Sequence, residues 1–129
     1  PIANELIKFA EKFSFNFLQI KNVKNIKKLN LKQHSEKYII IATQGNYDLS
    51  AIKEAISIKA SYTGLIASKK KFEALKKTLI KDGFKENIRQ ITCPAGIFIS
   101  AIMPEEVALS IFAEIIELKR SGEIRSNKY

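Results

Sequence analysis

The sequence contains one cysteine, Cys93, one histidine, His34, and no tryptophan. With a single thiol no intramolecular disulfide can form, which fits a reducing, cytoplasmic setting. One Cys and one His cannot supply the four Cys- and His-dominated ligands of a protein-only zinc site, and His34, in a polar stretch, reads as a surface residue. No nucleophile-elbow pattern is present, so a Ser-His-Asp hydrolase of that design is not expected. No carboxylate pair is spaced for acid–base work. No apolar run approaches the roughly 18 residues that a membrane span needs, and the first residues resemble neither a signal peptide nor a transit peptide. A glycine-rich phosphate loop, which normally precedes the first helix of a dinucleotide-binding domain, is also missing.

What is present suits one domain over residues 1–129. The chain is 46% hydrophobic, enough to bury a core. Its 22 Lys and Arg outnumber 13 Asp and Glu, giving a formal charge of +9. Such a surface attracts phosphates or other polyanions, although solvated lysine faces account for the same composition. Nucleic-acid binders interleave aromatics with their basic residues. Here the eight Phe fall mostly at core-like spacings and no nucleic-acid motif appears, so neither nucleic acid nor membrane is an expected partner.

Periodicity predicts the elements. Ile2, Leu6, Phe9, Ala10 and Phe13 repeat at three and four, predicting a helix from Ile2 to Phe13. Phe15 to Ile20 suggest a short strand, and Lys21 to Gln33 a connection with at most a helical turn. Tyr38 to Ala42 form a continuous β-branched run of the kind covered on both faces in parallel sheets. A turn over Thr43 to Asn46 follows, with Asp48 as N-cap of a helix from Leu49 to Ile58. Tyr62 to Ala67 read as a second buried strand, Ser68 as N-cap of a helix from Lys69 to Lys81, and Gly83 as its C′ residue. Ile88 to Thr92 suggest another short strand. Pro104, with Glu105 and Glu106 in the first turn, opens a last helix running to about Arg120. Met103 and the Ile111, Phe112, Ile115 stripe are expected in the core, and the tail from about Ser121 is expected to fray. This alternation predicts an α/β, Rossmann-like, three-layer domain with a mostly parallel sheet and helices on both faces. Its first strand would precede Pro1, so Pro1 is not expected to be the natural start.

Open parallel sheets bind ligands beyond the carboxyl ends of their strands. That rule selects Thr43, Gln44 and Gly45, then Ser68, Lys69 and Lys70 with Lys71, then Cys93 and Gly96. The second group carries the strongest physical argument. Helix N-termini present unpaired amides and partial positive charge, and three lysines beside them would hold an anion such as a phosphate. Those lysines oppose the helix dipole, a local cost that hints at use. A plain N-cap followed by solvated lysines fits the same residues. Thr43, Gln44 and Gly45 offer a hydroxyl and amides to a nucleotide or pterin, or form a simple strand-to-helix turn. Cys93 reads as a buried inert thiol unless a cation or base lies beside it. No residue is assigned a catalytic or metal-ligating role.

Several stretches resemble the C-terminal Rossmann domain of the XdhC family. They are Tyr38-Ile-Ile-Ile-Ala-Thr43, Asp48-Leu49, Tyr62-Thr-Gly-Leu-Ile-Ala-Ser68-Lys-Lys-Lys71, Cys93-Pro-Ala-Gly96, and Pro104-Glu-Glu-Val-Ala108 with Ser110-Ile-Phe-Ala-Glu-Ile-Ile116. The family's versions run roughly Y-V-V-V-A-T, Y-I-G-L-I-G-S-R-R-K, P-I-G-L-D-I-G and T-P-E-E-I-A-V-S-I-x-A-E-I. The resemblance implies a molybdenum-cofactor accessory protein, a chaperone more than an enzyme, that binds molybdopterin cofactor for hydroxylases such as xanthine or carbon monoxide dehydrogenase. A hydroxylase client, a cysteine desulfurase or a second copy would be its partners. The pattern also departs from the family: Ala67 and Ser100 replace glycines, Phe98 an acid, Gln44 and Asn46 histidines, and Met103 the capping Thr. Lys21 stands near the acid that would hold NAD ribose, so NADP fits better than NAD. The alternatives are therefore an NADP-linked oxidoreductase and a structural remnant that acts only through protein contacts.

Overall fold

A computed structural model describes residues 2–13, 15, 19, 36–43 and 47–124. The chain divides into two compact units, Gln19–Pro94 and Pro1–Leu18 with Ala95–Tyr129. Most of the expected strand over Phe15 to Ile20, the connection over Lys21 to Gln33, and most of the Thr43 to Asn46 turn lie outside the described residues, as does the tail from residue 125.

The Gln19–Pro94 unit is a β-α-β-α succession. Strand β1 (Tyr38–Ile41) pairs in parallel with β2 (Tyr62–Leu65), Tyr38 opposite Tyr62 and Ile41 opposite Leu65. Helix α2 (Asp48–Ile58) connects them, as a parallel pair requires. Helix α3 (Lys69–Lys81) follows β2. Every residue of β2 is buried, whereas only Ile41 is buried in β1. Ile41, Ala51, Ile52, Ala55, Leu65, Phe72, Leu79 and Ile91 form one core cluster. Gly83 ends α3 at φ +91°, a conformation that favours glycine.

The strand expected over Ile88 to Thr92 is replaced by a 3-10 helix, Lys85–Gln90. Its apolar neighbours explain the difference. Phe84, Ile88 and Ile91 recur at four and three, the period of a helical turn, and all three pack on the core. Only Thr92 joins the sheet, bridging Gly64 in parallel: its N–H donates to the Thr63 carbonyl (2.8 Å) and its carbonyl accepts from Leu65 N–H (2.9 Å).

In the other unit α1 (Ile2–Lys12) packs against α4 (Pro104–Ser121). Leu6 and Ala10 are buried from α1, and Ala108, Ile111, Phe112 and Ile115 from α4. Phe9 stacks on Phe112 with ring centroids 5.7 Å apart, and Phe15 meets Phe112 edge-on at 5.8 Å, a favoured aromatic geometry. The start of α4 is as expected, but Met103 is not core. It is the N-cap residue, half exposed. A thioether is a poor acceptor, and Glu106 supplies the missing interaction from the other side. Its carboxylate accepts the Met103 N–H at 2.8 Å and the Ile102 N–H at 3.0 Å, one half of a capping box. These two amides hold the Glu106 carboxyl below its ordinary pKa.

Candidate functional site

The carboxyl ends of β1 and β2 carry the polar groups that the sequence singles out. Asp48 was expected to cap α2 but does not. Tyr47 occupies the cap position with no side-chain bond, and Asp48 is the first helical residue. Its carboxylate turns inward, with only 2% of the residue exposed. There the Thr43 hydroxyl donates to Oδ1, and the Lys71 ammonium lies 3.4 Å from Oδ2. A buried carboxylate needs such partners, because desolvation otherwise exceeds what the fold gains elsewhere. Asp48 thus joins the end of β1 to the first turn of α3.

Ser68 caps α3 as its sequence position predicts, accepting the Lys71 N–H at 3.1 Å. Lys69 and Lys70 are exposed on the first turn, while Lys71 is only partly exposed because its charge is committed to Asp48. The helix tip therefore holds two outward lysines and one inward. On the adjoining loop the Cys93 thiol donates to the Ala67 carbonyl at 3.4 Å. Both residues are partly buried against the core cluster. The loops after β1, β2 and Thr92 are thus linked within one unit, Thr43 to Lys71 through Asp48 and Ala67 to Cys93 directly. Gln44 and Gly45 lie outside the described residues.

Gly96 belongs to the other unit and does different work there. Its φ is +101°, and a Cβ would collide with Ser110 and approach the Ile111 nitrogen at 3.1 Å. Its N–H donates at 3.0 Å to Glu114, a carboxylate with no solvent exposure. That amide is engaged by protein and is not presented to an anionic ligand. Phe98 is 61% exposed.

Sequence pattern does not reveal the roles of two residues. Asp48 reads as a local cap, and Glu114 lies in a stripe read as core. The available signal for Glu114 was a lone acid inside Ile111-Phe112-Ala113-Glu114-Ile115, a stripe that is otherwise apolar. Among the described residues no group of three His, Cys, Asp or Glu could hold a metal ion, and no helix is long and apolar enough to cross a membrane.

Comparison with known proteins identifies the family. The XdhC Rossmann domain matches residues 1–115. The chain belongs to the XdhC Rossmann-domain family. An Escherichia coli K12 relative, the uncharacterized protein YqeB, is 32% identical over 88 residues, covering 67% of this chain and 16% of the relative. A crystal structure described as a xanthine dehydrogenase from Bacillus halodurans superposes with a TM-score of 0.74 at 20% identity, over 98% of this chain and 42% of that one. At that identity the likeness establishes the α/β fold alone. The chain thus spans less than half the length of either protein.

Proposed function

We propose that this XdhC domain is an accessory protein in the maturation of molybdenum hydroxylases of the xanthine or carbon monoxide dehydrogenase type, holding an anionic, nucleotide-like or pterin cargo at the carboxyl ends of β1 and β2. The observation that carries the reading is the α3 tip. A Ser-capped N-terminus directly after a parallel strand bears Lys69 and Lys70 exposed, while buried Asp48 secures Lys71 and Thr43 beside it. Helix amides and exposed ammonium groups suit a phosphate. Molybdopterin cofactor, whose phosphate these residues would hold, is the first candidate cargo, with NADP second and NAD third. Gln44, Gly45 and Cys93 would line the mouth. The proposed role is holding rather than catalysis. A hydroxylase client and a cysteine desulfurase are the proposed partners, in the cytoplasm.

Titration of the purified chain with molybdopterin, NADP and NAD, followed by thermal shift, tests this reading. A rise in melting temperature with molybdopterin supports it; a shift only with NADP favours an oxidoreductase instead. Two observations favour a second reading, a non-binding remnant acting through protein contacts. The Lys71 charge is spent on Asp48 and the Gly96 amide on Glu114, so two groups expected at the ligand serve the fold. No shift with any of the three compounds would select that reading.

A further inference from the structure

The α1–α4 unit carries a surface feature that the cargo site does not use. An open groove of about 600 Å³ runs between α1 and the start of α4, with Ile7, Met103 and Pro104 among its apolar lining and Glu5, Glu11 and Glu105 among its polar lining. Lys8 also lines it, but that ammonium is paired with Glu5 at 3.1 Å. Among the described residues no ion pair engages Glu11 or Glu105. The groove is therefore locally anionic on a chain whose formal charge is +9. Apolar surface continues along the same stretch of chain, where Ile102 is 85% exposed, Met103 51% and Leu109 48%. Isolated exposed apolar residues need no explanation, but Met103 is both half exposed and part of the groove lining beside Ile7 and Pro104, which marks the groove as an interaction surface. The carboxylates do not form a metal cluster, and their charge repels nucleic acid and anionic lipid. What complements them is a cation carried on an apolar scaffold.

We infer that this groove docks a short segment of a partner polypeptide bearing lysine or arginine beside aliphatic side chains. The aliphatic groups seat against Ile7, Met103 and Pro104, and the cations meet Glu11 and Glu105. Recognition is local, because the net charge of the chain opposes long-range attraction of such a segment. The site is separate from the α3 tip and does not depend on the cargo reading.

Fluorescence anisotropy of the 129-residue chain with two labelled peptides of equal length, one alternating Lys and Leu and one alternating Glu and Leu, tests the inference. The Lys peptide is expected to bind saturably and the Glu peptide not. Glu11→Lys with Glu105→Lys should weaken Lys-peptide binding at least about tenfold, as loss of paired charges does, and Met103→Ser should weaken it too. Since Glu105→Lys also opposes the α4 dipole, the milder Glu11→Gln/Glu105→Gln variant, shown folded by circular dichroism, must weaken binding in the same direction. Glu86→Lys, in the other unit, should leave it unchanged. Equal binding of both peptides, or wild-type affinity in the folded Gln variant, overturns the inference. So does a chain that self-associates through this groove, seen as a dimer in sedimentation that the Gln variant abolishes.

Discussion

Asp48 and Lys71 show how one ion pair divides its consequences unequally. The carboxylate is buried and the ammonium is 42% exposed. In Lys71→Met the carboxylate stays buried without its counter-charge, and we expect a loss of about 3–5 kcal/mol. Asp48→Asn leaves an ammonium that can turn to water, so the loss should be smaller, about 1–3 kcal/mol. Urea denaturation of the two variants checks the order; an equal loss would show that the pair is not asymmetric. Tyr38 makes a second residue-scale prediction. Burial, then the hydrogen bond to Glu36 (2.8 Å) and its charge, raise the phenol from 10.0 to about 12. The folded state therefore keeps a proton that the unfolded chain releases, so stability falls as pH rises from about 10 to 12. Tyr38→Phe should flatten that part of the pH–stability curve.

At the scale of elements, the helix starts were legible where a side chain serves its own backbone. Ser68 caps α3, and its replacement by Ala should cost about 1 kcal/mol, read as a lower denaturation midpoint. Pro104, Glu105 and Glu106 open α4 as their types predict. Glu106→Ala should destabilise α4 by freeing the Ile102 and Met103 amides. Because these amides hold the carboxyl pKa down, the Glu106 contribution should be present at neutral pH and fade as pH falls through that depressed value. The reading failed where a side chain serves a distant element. Asp48 looks like a cap in sequence, yet its partners are Thr43 on one side and Lys71 on another helix. The apolar spacing of Phe84, Ile88 and Ile91 reads as a strand only if its period is ignored. The sequence offers Gly96 as a ligand contact, but its φ of +101° and its bond to Glu114, 18 residues further along the chain, depend on α4. Gly96→Ala should cost at least about 1–3 kcal/mol from backbone strain alone, before the collision with Ser110.

For the whole molecule, the alternation of apolar runs and turns predicts an α/β Rossmann-type domain, the motif resemblance implies XdhC kinship, and the family match over residues 1–115 agrees with both. Function was less legible, because it depends on which charges remain available after folding. Of three lysines at the α3 tip, Lys71 pairs with a buried acid, while Lys69 and Lys70 are exposed on the first turn. This division has its own signature: Lys71→Met should lower stability more than it lowers cargo affinity, whereas the Lys69/Lys70 changes should do the reverse. The most direct test of the cargo-holding account is therefore the affinity of the purified chain for molybdopterin, measured for the wild type and for Lys69→Glu/Lys70→Glu. The account predicts saturable binding that the double change weakens at least about tenfold, the loss of charge-assisted contacts to a phosphate, with little change in melting temperature of the free chain. Absence of binding, or equal affinity in the two proteins, would contradict it.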